Sequence, residues 1–281
     1  MNSKPAPSLS RAVLWLFGLG LGGAGVAIGI AAAFFPTRAD LVGVFLTAIG
    51  LFRTMGRLLD DNRRAIWEDG VSAYRANGRL AAGMLGLFFG ILTAYLLLSL
   101  SVSGPTRQKL LGFQLERYGS RYSLVTDIQF GAFGDLLEHN GIVLCVFLLL
   151  GFLYQEGGTM LILAWNASIW GSVFGYLIGN QRHADAFEAI RYGLRTMAVL
   201  FPHLAAEGIA YILAALAGIF AVRGLLRHPF GSDRQARVLR AVAALVAVAA
   251  LALALGAWIE STATPWLVRR IVPEPLLPRP F

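Results

Sequence analysis

Asn166, His203, Glu207 and Glu260 are the side chains with the most chemistry to offer in a chain that is otherwise strongly apolar. His203 and Glu207 are four residues apart, so on a helix they share one face. Three readings of that pair stay open. It is a structural pair near a helix start, where a carboxylate suits the dipole. It is a partner contact or conformational switch. Or it belongs to a proton or ion path, or to a metal site completed by Glu260. Asn166 follows Ala164 and Trp165 within an apolar run, where its amide needs partners that lipid does not supply. An interhelical hydrogen bond is the default reading, and a substrate contact is the alternative. Enzymatic signatures are missing: the chain has no His-Glu-x-x-His pair, no Gly-x-x-x-x-Gly-Lys-Ser/Thr loop and no Gly-x-Ser-x-Gly elbow. Ser168 with a distant histidine is the kind of match that four histidines and many serines produce by chance. No catalytic residue, cofactor or resident metal is assigned, and the expectation is a protein that is not an enzyme.

Elements of one kind must position these residues. Of 281 residues 57% are hydrophobic and 14% charged, a balance that describes an integral membrane protein embedded in the lipid bilayer. Seven apolar runs approach the length needed to cross about 30 Å of hydrocarbon: residues 12–35, 39–58, 80–102, 137–154, 159–179, 203–224 and 238–259. The expected fold is therefore an all-α polytopic bundle with about seven spans, or six if residues 39–58 lie at the interface with Arg53 and Arg57. The run from Ala12 reads as a retained helix and not as a signal peptide. Pro36 marks a tight turn within a helical hairpin. Cys145 is the only cysteine, so no internal disulfide forms.

The formal net charge of +8 does not point to nucleic acid, because the basic residues fall between apolar runs without forming a long tract. They bias the orientation instead, with Arg53, Arg57, Arg63, Arg64, Arg223, Arg227, Arg234 and Arg237 placing one end of the bundle, and the N-terminus, in the cytoplasm. Residues 103–136 read as short amphipathic helices at the outer surface. Residues 185–201 have helical amphipathic spacing and read as an interfacial or partly inserted helix that stops at Pro202, with a new helix starting there. That start would put Glu207 five residues in, about 7 to 8 Å along the axis and near the outer interface. Gln155 to Gly158 interrupt two apolar runs, as a loop or, less favoured, as a helix break in a re-entrant hairpin.

Glycines recur at helical spacing: Gly18, Gly22, Gly25 and Gly29; Gly86 and Gly90; Gly171, Gly175 and Gly179. Such spacing lets helices pack closely in lipid, and a homodimer through Gly18 to Gly29 stays open.

Phe201-Pro202-His203-Leu204-Ala205-Ala206-Glu207, the Ala/Gly-rich helix after it, and Trp258-Ile259-Glu260-Ser261-Thr262-Ala263-Thr264-Pro265 resemble the C-terminal half of the stage II sporulation protein M family. Gly157-Gly158-Thr159 through Asn166-Ala167-Ser168 to Gly171 fits the same family. The N-terminal hairpin, with Phe35-Pro36 and Val44-Phe45-Leu46-Thr47, is similar to a subset known mostly from archaea and some bacteria. The resemblance implies three parts: residues 1–79 as the N-terminal hairpin with a basic segment, 80–265 as the family's membrane domain, and 266–281 as a Pro-rich tail. It further implies a multispanning protein without known catalytic activity, whose namesake partners peptidoglycan-degrading proteins. Pro202, His203, Glu207, Asn166, Glu260 and Pro265 are the matched positions. The expected function is a scaffold or assembly component of an envelope complex, working with other membrane or envelope proteins. The alternative is a permease-like or flippase-type subunit whose polar path is lined by Glu207, His203 and Asn166.

Overall fold

The computed structural model describes residues 9–119, 132–179 and 185–272, and every element among them is helical. The helices are α1 (Leu9–Phe34), α2 (Ala39–Trp67), α3 (Ala73–Ser101), α4 (Gly104–Gly119), α5 (Phe133–Gly179), α6 (Ala186–Arg227) and α7 (Asp233–Trp258). A π-helical turn, Ile259–Ala263, joins α7 to α8 (Thr264–Ile271). Among the described residues six helices are long and apolar enough to cross a membrane, α2 among them.

α5 departs furthest from straight geometry. Gln155, with φ 48° and ψ −125°, departs from the helical region in its middle. The effect is visible at Gly158, where a Cβ would strike the Leu150 carbonyl and stand 3.0 Å from Tyr154 Cβ. A straight helix would hold residues eight apart at about 12 Å. The chain therefore doubles back at Gln155, and position 158 accepts no side chain. The first arm, 133–154, runs alongside α6, as Asn140 meets Glu207, Gly151 meets Ala215 and Gln155 meets Arg223. The second arm runs against α6, with Gly193 on Ile178 near one end. Counting the arms apart, the chain traverses the bundle seven times. The connection expected at 155–158 is thus a reversal at one residue, Gln155, with helix on both sides of it.

Pro202 does not begin a helix. α6 runs unbroken past it, capped at its true start by Asp185, whose carboxylate accepts the Glu188 amide at 2.8 Å. Proline lacks an N–H and removes one bond to residue 198, a loss that neighbouring helices can absorb in a membrane. The amphipathic stretch at 185–201 is accordingly the first part of α6, with Phe187, Ile190 and Leu194 exposed. At the chain's other end, helix continues through Ile271 where a Pro-rich tail was expected from residue 266; 273–281 lie outside the described residues.

α4 crosses one end of the bundle. Its kink at Leu111 frees the Phe113 amide, which donates to Asp40 Oδ2 at 3.0 Å while Asp40 Oδ1 takes the Leu41 amide. Arg107 donates to the Ser99 carbonyl at 2.7 Å. Part of the expected amphipathic surface is therefore a packed cover; residues 120–131 lie outside the described residues.

Close approach between helices is carried by a particular subset of glycines. Gly20, Gly86 and Gly90 seat α1 on α3, and Gly171 and Gly175 seat the second arm of α5 on α3. Gly179 approaches Arg107, with 3.1 Å from a built Cβ to its Nη2. Gly18, Gly22, Gly25 and Gly29 meet nothing within 4 Å, because their face of α1 points away from the bundle. One core joins Leu16 and Ala24 of α1, Leu51 of α2, Leu87 of α3, Met160 of α5 and Leu216 of α6.

Candidate functional site

α6 presents His203 and Glu207 one turn apart, and the helix packed against that face is α7 with its π turn. Gly256 allows the approach: a Cβ there would lie 3.0 Å from Glu207 Cγ and 3.3 Å from the His203 carbonyl. Glu260 and Thr264 come next at intervals of four. In the π turn the Thr264 amide bonds to the Ile259 carbonyl five residues back. The wider turn keeps Glu260 and Thr264 on the α6 side, a use typical of π insertions at working sites.

The side chains close on one another. Asn140 Nδ2, from the first arm of α5, donates to Glu207 Oε1 at 2.7 Å. Glu260, in the π turn, is the nearest other carboxyl to Glu207. Thr264 Oγ1 lies 3.4 Å from His203 Nδ1 and 3.2 Å from the Ile259 carbonyl oxygen. The single hydroxyl proton can serve only one of these two contacts, and the tautomer of His203 decides which. Glu207 is 5% exposed, His203 3% and Thr264 0%, so α5, α6 and α7 bury these three, while Glu260 is partly exposed. The network's hydrogen bonds satisfy groups that lipid would leave bare.

Asn166 does not join this network. Its amide donates to the Ile162 carbonyl of its own helix at 3.0 Å. It shares with Glu207 the wall of a cavity of about 470 Å³ between α3, α5 and α6, where the remaining surface is mostly aromatic and aliphatic. Among the described residues no group of three or more His, Cys, Asp or Glu side chains is arranged to hold a metal ion.

Glu207 does not stand at a helix start, since α6 begins at Ala186. It lies 16 residues before Arg223, about 24 Å along the helix. Arg223 marks a second polar cluster, at the reversal in α5. Its Nε donates to Gln155 Oε1 at 3.2 Å, its Nη2 to Glu156 Oε2 at 3.3 Å, and its Nη1 stands 3.8 Å from Asp60 Oδ1.

The family model of stage II sporulation protein M matches residues 80–265, about two thirds of the chain. The chain belongs to the stage II sporulation protein M family. No curated protein and no solved structure matches it. Every member of the Glu207 network lies within the family-matched residues of this SpoIIM protein, while α1 and α2 precede them. Sequence reasoning finds His203, Glu207 and Glu260 but misses Asn140 and Thr264. The spacing Gly256, Glu260, Thr264 carries the signal for Thr264. Asn140, opening an apolar run directly after Glu138 and His139, carries it for the other.

Proposed function

We propose that this SpoIIM-family protein is a non-conducting scaffold of an envelope complex, with no catalytic activity of its own. The observation that carries the reading is the burial of Glu207 and its bond to Asn140. A transport path requires polar groups that meet water from at least one side in turn. Here the Glu207 side chain is 5% exposed and engaged by the Asn140 amide. The cavity beside it is walled by Phe88, Phe89, Phe147, Trp170 and Phe174, which favour apolar contents over a water column. The network then serves as an internal lock, holding α5, α6 and α7 in one arrangement while other faces meet partner proteins. The arginine-rich end, with Arg63, Arg223, Arg227, Arg234 and Arg237, sits in the cytoplasm on this reading, together with the N-terminus.

A flippase-type role rests on the same cavity, because Asn166 and Glu207 offer an amphiphile two polar contacts in apolar walls. One experiment separates the two. The protein and its Glu207→Gln variant are reconstituted in liposomes for proton and lipid-scrambling assays, and both are used to recover partners from native membranes. The scaffold reading expects no flux from either, with partner recovery lowered in the variant. A wild-type flux abolished by Glu207→Gln would overturn it.

A further inference from the structure

The end of the bundle opposite α4 holds a second cavity, of about 490 Å³, between the last turns of α2 and α6 and the first turns of α3 and α7. Arg63, Arg227, Arg234 and Arg237 all contribute to its wall. Arg63 has a carboxylate partner, Glu68, at 3.2 Å. Among the described residues no carboxylate lies within ion-pair distance of Arg227, Arg234 or Arg237. The arginine nearest the membrane interior, Arg223, is already engaged by Gln155 and Glu156.

Beneath the arginines the cavity is apolar, formed by Leu59, Ile66, Phe220 and Val238. A free inorganic anion would use the rim and leave this surface empty. The cavity therefore matches a molecule with a negative head and a hydrocarbon body. Asn62 adds a polar contact: it is 6% exposed and bonds Asn77 at 3.1 Å, and its other amide atom has no partner on the cavity wall. Because both amides can be turned over, that atom serves as donor or acceptor. Trp67 and His228, with ring centroids 6.4 Å apart, sit at the same rim, where aromatic rings favour the headgroup level.

We propose that this cavity is a binding site for an anionic phospholipid, with the phosphate among Arg63, Arg227, Arg234 and Arg237 and an acyl chain along Leu59, Ile66, Phe220 and Val238. Arg234 and Arg237, three residues apart at the start of α7, share a helix face and hold the phosphate from one side. Arg63 and Arg227, from the ends of α2 and α6, hold it from the other. The lipid ties together four helix ends that the buried network around Glu207 does not reach. Basic pockets between membrane helices take anionic headgroups for this reason.

The test uses the full chain in a neutral detergent, with thermal unfolding and native mass spectrometry as readouts. Dioleoylphosphatidylglycerol is titrated against dioleoylphosphatidylcholine and against inorganic phosphate. The expected result is a saturable rise in Tm and a retained adduct with phosphatidylglycerol alone. Arg234→Gln with Arg237→Gln should weaken that binding roughly five-fold per arginine, as about 1 kcal/mol per basic residue near an anionic lipid surface implies. Lipid-free Tm should not change, since these side chains are exposed. Arg269→Gln with Arg270→Gln, at the opposite end, should leave binding as it was. Equal response to phosphatidylcholine, equal response to phosphate alone, or undiminished binding by the Arg234/Arg237 variant would each overturn the proposal.

Discussion

Two polar clusters share α6, and they solve the same problem by different means. Glu207 is met by the Asn140 amide and neighboured by Glu260, and beside them the Thr264 hydroxyl meets the His203 imidazole, all drawn from α5, α6 and the π turn with its flank. Around Arg223 the partners are two carboxylates and an amide, and the cluster is wetter: Arg223 is 16% exposed and Asp60 61%. The difference tracks burial within the protein: Glu207 is 5% exposed, against 16% for Arg223 and 61% for Asp60. Buried full charges are expensive, so the more buried cluster engages its carboxylate with a neutral amide. In the more exposed cluster, water screens and solvates charges, and ion pairs form at low cost. A lock that must not change belongs in the first environment, and a clamp on a chain reversal tolerates the second.

The more buried cluster should be the more fragile to volume. Gly256→Leu pushes a branched side chain against the Glu207 Cγ and the His203 carbonyl, neither of which can retreat from α7 without opening the network. We expect a loss of about 3 kcal/mol, the upper range for overpacking a closed interior. Unfolding in detergent followed by circular dichroism measures it. A variant as stable as the parent would mean that α6 and α7 are not pinned together here.

Asn140→Ala comes next. Removing the amide leaves Glu207 Oε1 buried without its donor, at a cost of about 2 kcal/mol. A double-mutant cycle with Glu207→Gln should return a coupling of about 1 kcal/mol, within the range for interhelical hydrogen bonds in membranes. Additive losses would show that the 2.7 Å bond contributes nothing of its own.

Legibility in the sequence divides along the same line as the clusters. Apolar runs and their lengths are local properties, so an all-helical membrane bundle is readable from composition and spacing. His203, Glu207 and Glu260 are readable because a carboxylate or imidazole in an apolar run stands out. The partners are not, because Asn140 meets Glu207 only after the chain reverses at Gln155, and nothing local predicts that a glutamine adopts positive φ. Glycine spacing misleads for a similar reason. Gly18, Gly22, Gly25 and Gly29 repeat as regularly as Gly86 and Gly90, yet only contact with a neighbouring helix distinguishes a packed face from an outward one. Pro202 misleads because proline at a helix start is common, while the cap at Asp185 has already begun the helix further back.

Arg223→Gln tests the more exposed cluster. The Asp60 pair, more than half exposed, contributes little, so the effect rests on Gln155 and Glu156. We expect a loss of about 1 kcal/mol in low salt that shrinks towards zero at about 1 M, where the Debye length falls to about 3 Å. The Asn140→Ala loss should not change between the two salts. Parallel thermal scans of both variants at low and high ionic strength make the measurement, and equal salt dependence would erase the distinction between the clusters.

The smallest effect is the most discriminating. Gln155 sits at φ 48° and ψ −125°, a conformation that costs a side-chain-bearing residue about 1 to 3 kcal/mol and glycine little. Gln155→Gly relieves that strain, but it gives up the 3.2 Å bond from Arg223 and adds freedom to the unfolded chain. These terms nearly cancel, and stability should stay within about 1 kcal/mol of the parent. Gln155→Ala keeps the strain and loses the bond as well, so it should be the less stable of the two variants. Within an ordinary helix the order is reversed, because alanine is favoured over glycine by about 1 kcal/mol. The sign of the Gly-minus-Ala difference therefore reports directly on the reversal. If alanine proved the more stable, α5 would have to pass through Gln155 as a regular helix, and Asn140 could not be brought to Glu207 in the way described.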